Sequence, residues 1–110
     1  MKGSYSTNTN SNSGNNLQTP SGGSINPANT VNIENFAFSP GTLTIKVGQT
    51  VTWTNKDSTS HTVTSDSGNE LISSTLSNSQ TYTHTFNSVG TFNYHCSIHT
   101  SMKASIIVIN

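Results

Sequence analysis

Gly90-Thr91-Phe92-Asn93-Tyr94-His95-Cys96-Ser97-Ile98-His99-Thr100-Ser101-Met102 decides the architecture of this chain. Its first half alternates: Phe92, Tyr94 and Cys96 share one parity, Asn93 and His95 the other, which is the period of a strand with one buried face. Its second half places a thiol, an imidazole and a thioether at Cys96, His99 and Met102. An apolar run, Ala104 to Ile109, follows and reads as a closing strand. The residues from Cys96 to Met102 are therefore expected to form a tight loop at one end of a β-structure.

Upstream, the same alternation recurs in short pieces. Val31 to Phe38 reads as one strand, and Ser39-Pro40-Gly41 as a turn. Leu43, Ile45 and Val47 alternate with Thr42, Thr44 and Lys46, and Val51 and Trp53 with Thr50, Thr52 and Thr54. Asn55 to Ser60 is polar and turn-like. A short β-branched run, His61-Thr62-Val63-Thr64, has a histidine at its mouth. Asp66 to Asn78 holds Leu71, Ile72 and Leu76 among Ser, Gly and Asn and reads as a long loop with some packed apolar residues. Tyr82, His84 and Phe86 then share a strand face. No helical period and no repeat appears, so the fold class is all-β, a sandwich of short strands.

The 110 residues carry a formal net charge of +0, with only 7% charged side chains, so one small domain is expected and neither nucleic acid nor an anionic membrane is a suitable partner. No run is long and apolar enough to enter a bilayer. Met1-Lys2 leads into polar residues, so no secretory leader or anchor is visible. Residues 1–29 are a Ser/Asn/Thr/Gly-rich tract in which Leu17 and Ile25 are isolated, the composition of a flexible tether. Residues 30–110 hold the folded domain, expected to be a monomer. Cys96 is the only cysteine, so packing, or packing plus a metal, must hold the domain together.

Strand alternation points Cys96 inward, and a folded-back loop brings His99 and Met102 to the same point. His61, at the end of another strand, supplies a second imidazole. Two imidazoles, a thiolate and a weak thioether are the donor set of a type 1 copper ion: the sulfur ligands are soft and favour Cu(I), while imidazole serves both oxidation states. Such a compromise geometry changes little when an electron arrives. His95, adjacent to Cys96, faces the other side of its strand. His84 reads as a strand residue and Trp53 as core.

The chain resembles the cupredoxins, small blue copper proteins of the amicyanin and plastocyanin type. The resemblance runs from about Val31 to the C-terminus. It is carried by Phe36-Ala37-Phe38-Ser39-Pro40, the spaced Leu43, Val47, Gly48, Val51, Trp53 and Asn55, Ser60-His61-Thr62-Val63, Thr85-Phe86, and the Gly90 to Met102 stretch with its short Cys-x2-His-x2-Met spacing. It implies a Greek-key sandwich of about eight strands, with ligand roles at His61, Cys96, His99 and Met102. It also implies single-electron transfer with no enzymatic activity. Transient redox partners would dock at the exposed edge of His99, inside a rim of Ile98 and Phe38, outside the cytoplasm. A copper carrier, a copper site reacting with a small ligand such as nitric oxide, and a zinc site with the same ligands are the competing readings.

The sequence departs from the family twice near the metal. Thr62 stands where an asparagine usually ties the two ligand loops together, which puts that tie in doubt. Ile98 stands where short-loop members often have proline. Its N–H is expected to donate to the Cys96 sulfur beside that of Thr62, so that Ile98→Pro would lower the reduction potential.

Overall fold

The computed structural model describes residues 29–110, so the tail expected over residues 1–29 lies, but for Asn29, outside the described residues. Eight strands are present among the described residues: β1 (Thr30–Glu34), β2 (Ala37–Ser39), β3 (Thr42–Lys46), β4 (Thr50–Asn55), β5 (Thr64–Ser65), β6 (Thr81–Thr85), β7 (Gly90–His95) and β8 (Lys103–Ile109). They form two four-stranded sheets, ordered β2-β1-β4-β6 and β3-β8-β7-β5. Every connection from β2 to β7 passes from one sheet to the other, and β1 lies parallel to β4 as β3 does to β8. The result is the Greek-key sandwich that the strand pattern and the resemblance imply.

The layers follow from side-chain parity. Leu43 and Ile45 of β3, Val51 and Trp53 of β4, and Ala104, Ile106 and Val108 of β8 are buried, while most of the threonines and the lysines between them face out. Burial of one face against the opposite sheet is what converts a period-two pattern into a sandwich.

One element differs from the sequence reading. Val31 to Phe38 is not a single strand but a hairpin, with Ile33 opposite Phe38 and Glu34 opposite Ala37. Asn35 and Phe36 form its two-residue turn, both in the left-handed region at φ 55° and 57°. Phe38 is consequently carried into the core, and Phe36 is left at the surface. In the loop before β6, the apolar residues that pack are Leu71 and Leu76, and Ile72 is exposed.

Trp53 is the centre of the core. Its ring lies 5.7 Å from Tyr94 at 90° and 5.5 Å from Tyr82. Its Nε1–H donates to the Tyr94 hydroxyl at 3.1 Å, joining β4 of one sheet to β7 of the other. Burial pushes the Tyr94 phenol well above its usual range, so it stays protonated. Tyr94→Phe strands the buried indole N–H, and we expect a loss of about 1–3 kcal/mol. The check is urea unfolding, with a lower midpoint at unchanged slope.

Candidate metal centre

β5 and β7 are antiparallel neighbours, with Thr64 opposite His95 and Ser65 opposite Tyr94. Extending that register beyond the strands sets Thr62 across from Ser97. The segment that enters β5 and the loop that leaves β7 therefore emerge side by side at one end of the sandwich. This pairing brings His61 to Cys96.

The loop after β7 folds back through two backbone bonds. The Cys96 N–H donates to the Met102 carbonyl at 3.1 Å, and the Met102 N–H to the His99 carbonyl at 2.9 Å. Cys96 is fully buried and Met102 is 5% exposed, whereas His99 is partly exposed.

His61 is held more deeply. Its backbone pairs in both directions with Leu76. The buried Asn55 shapes the preceding loop by donating Nδ2–H to the carbonyls of Thr59 and Leu76 and accepting the Asp57 N–H on Oδ1. That loop presents Asp57 to the outer nitrogen of His61, with Oδ2 2.8 Å from Nε2. The same carboxylate accepts the N–H groups of Phe36 at 3.0 Å and Asn35 at 2.8 Å. The Phe36 N–H foremost, then the His61 ring and the Asn35 N–H, hold Asp57 below the ordinary carboxylate range against the opposing effect of burial. With an ion bound, an ionised acceptor on Nε2 would keep that nitrogen as the donor and leave the Nδ1 lone pair for the metal.

His61 Nδ1 and His99 Nδ1 each lie 3.7 Å from Cys96 Sγ, and the three donor atoms lie within 4.8 Å of one another. An ion about 2.3 Å from a thiolate and about 2.0 Å from an imidazole separates those two donors by roughly 3.6 Å. The two sulfur–nitrogen spacings thus fit donors arranged round one ion. Met102 is buried in the same loop, and its thioether would make such a set softer than zinc requires and suit it to copper.

Burial pushes the Cys96 thiol up, but hydrogen bonds outweigh it and bring the pKa down to about 6. The donors are the N–H groups of Thr62 and His99 and the two imidazole rings. The Thr62 N–H lies 3.4 Å from Sγ. The second amide is therefore that of His99 and not, as expected from the sequence, that of Ile98. In so short a loop the amide that reaches back to the sulfur is the one at the imidazole itself. The potential change expected for Ile98→Pro loses its structural basis.

The doubted tie between the loops is present. Thr62 Oγ1 accepts the Ser97 N–H at 2.8 Å and shares a further bond with the Ser97 hydroxyl at 2.9 Å. Of the remaining histidines, His95 lies outside the cluster with Nδ1 2.7 Å from Asp66, and His84 pairs with Glu70 at 2.6 Å. Phe38 is 5% exposed and forms no rim. Phe36 takes that place, with its ring centroid 4.9 Å from that of His99 and 5.2 Å from that of His61. Sequence reasoning missed Asp57 and the position of Phe36. The signal for Phe36 was Asn35, a residue that favours such turns. No spacing rule points to Asp57.

The comparisons agree with this geometry. A cupredoxin-like domain family matches residues 15–108. Amicyanin-alpha of Methylorubrum extorquens is 35% identical over 82 residues, covering 71% of this chain and 69% of that protein. Amicyanin of Paracoccus denitrificans is 33% identical over 82 residues, covering 71% of this chain and 63% of that protein. A methionine-to-alanine variant of amicyanin solved in the Cu(I) state superposes with a TM-score of 0.66 at 31% identity, over 78% of this chain and 86% of that one. With an eight-stranded sandwich, a soft donor cluster at one end and this match along most of its length, the chain belongs to the cupredoxins, as a type 1 copper electron carrier and not an enzyme.

Proposed function

We propose that His61 Nδ1, Cys96 Sγ and His99 Nδ1 hold the copper ion with the Met102 thioether as a weak further donor, and that electrons pass to transient redox partners over the exposed edge of His99. The observation that carries this reading is the meeting of two imidazole nitrogens 3.7 Å from a fully buried sulfur. Copper bound there supplies a one-electron couple between Cu(II) and Cu(I).

The residues around it do the rest. Asp57 fixes the His61 tautomer and orientation. Thr62 sets the distance between the two loops through Ser97, and its own N–H steadies the thiolate. A thiol with a pKa of about 6 is ionised at neutral pH, so a metal need not displace a proton to bind. Phe36 and Ile98, each 51% exposed, border His99 with apolar surface suited to brief contact. With so few charges on the chain, docking depends on that short-range surface and not on long-range steering. The working compartment is extracytoplasmic, where copper is available to a cupredoxin.

The Cu(II)-loaded chain should show an intense thiolate-to-copper band in the visible, lost on reduction, regained on oxidation and unmoved by azide. A chain that binds copper without that band would end the reading, and azide sensitivity would favour a small-ligand site.

A second expectation concerns the metal-free chain. The folded Cys96 pKa lies below the ordinary thiol value of about 8.5, so the unfolded state binds more protons in between. The contribution of Cys96 is complete above about pH 8.5 and is lost as pH falls through about 6. The melting temperature should therefore rise with pH across that window more steeply in the native chain than in Cys96→Ala. Thiolate absorbance near 240 nm should titrate with a midpoint near 6.

Thr62→Val removes the acceptor for the Ser97 N–H while leaving its own amide on the sulfur. We expect a loss of about 1 kcal/mol in unfolding of the metal-free chain, recovered in Thr62→Ser. Equal stability of all three chains would show the tie to be idle.

A further inference from the structure

The two imidazoles at the metal centre are not equally supported. His61 is buried and has Asp57 on its outer nitrogen. His99 is partly exposed, and among the described residues the polar contact of its ring is Nδ1 to the Cys96 sulfur. Metal-ligating histidines ordinarily have a hydrogen-bonding partner on the second nitrogen, which fixes the ring. Here a hydrocarbon ring lies beside His99 instead. The Phe36 ring stands at 84° to it with centroids 4.9 Å apart, and at 88° to His61 with centroids 5.2 Å apart.

Phe36 occupies this place at a cost. Its φ of 57° puts a bulky side chain at the second position of a turn that favours glycine there. The ring is half exposed, so core burial does not explain it. What holds the turn is Asp57, which accepts both strained amides and is also the partner of His61. One carboxylate thus anchors the first imidazole directly and, through the turn, sets the aromatic ring against the second.

We infer that Phe36 is the positioning residue for His99, bracing the exposed imidazole in place of a hydrogen-bonded partner, with Asp57 as the latch that keeps the brace in position. The inference rests on His99 being a copper ligand, as proposed above. It assigns Phe36 two effects: it restricts rotation of the His99 ring, and it keeps water from the outer side of the site.

Phe36→Gly is the decisive variant. Glycine adopts φ 57° freely and retains both amide bonds to Asp57, so the turn survives and only the ring is lost. In the metal-free full chain with 13C-labelled histidines, NMR relaxation at one fixed pH should show a mobile His99 ring and an unchanged His61 ring. In the Cu(I)-loaded full chain, transfer of copper to bathocuproine disulfonate should quicken by about tenfold, the lower end of what loss of a ligand's supporting partner does to metal retention. The melting temperature of the metal-free chain should hold or rise, which separates bracing from a general structural role. Phe36→Tyr should restore the rigid ring and slow release. A His99 ring as rigid in Phe36→Gly as in the native chain, or both imidazoles loosened alike, overturns the inference. Ring motion is read without metal, so that result bears on Phe36 alone. Absence of the thiolate-to-copper band in the native chain would instead count against the ligand assignment.

Discussion

A thiolate with no exposed surface is the constraint from which the metal end of this molecule follows. Burial by itself would protonate Cys96, so an ionised sulfur survives there only when donors surround it. The chain supplies two amides and two imidazoles from the segment before β5 and the loop after β7. Those segments can meet at one sulfur because their strands are adjacent and antiparallel. The Thr62 to Ser97 bond continues the cross-strand register after the ladder itself has ended. Sandwich and site are in this sense one structure: the strand pairing that closes the second sheet is also what assembles the donors.

Much of this was legible because strands report their facing directly in sequence. The parity of Phe92, Tyr94 and Cys96 placed the sulfur inside, and the same parity put His95 on the outer face, where it meets Asp66. Trp53 read as core and is the core's centre. Parity did mark the first hairpin: Val31 and Ile33 are odd and Phe38 is even, so one continuous strand would have set Phe38 on the opposite face from Ile33, and only a turn brings both into the core. Reading the stretch as one strand left Phe36 and Phe38 undistinguished, and the rim was assigned to the wrong phenylalanine. Asp57 was unreadable for another reason. Its three partners, Asn35, Phe36 and His61, come from two loops, and their convergence depends on how those loops pack and not on spacing along the chain. The second amide at the sulfur was misplaced by one residue because loop curvature has no fixed period.

On the proposed assignment of both imidazoles as copper ligands, their different surroundings would divide the work between them. A ligand that must hold a metal is best buried, hydrogen-bonded on its far nitrogen and mounted where strands pair, and His61 has all three. A ligand that must pass electrons to another protein cannot be buried, and exposure invites water and ring motion. On that reading the geometry at His99 would answer both demands. His99 is partly exposed, and beside it stand the half-exposed Phe36 ring, 4.9 Å between centroids, and the exposed Ile98 next to it in the chain. An apolar collar can be desolvated by a partner's apolar surface at little electrostatic cost, and with no strong field to hold the complex together, separation after transfer would be quick. A charged collar would have strengthened docking and slowed release, which is the wrong exchange for a carrier that must leave one partner before it can serve the next.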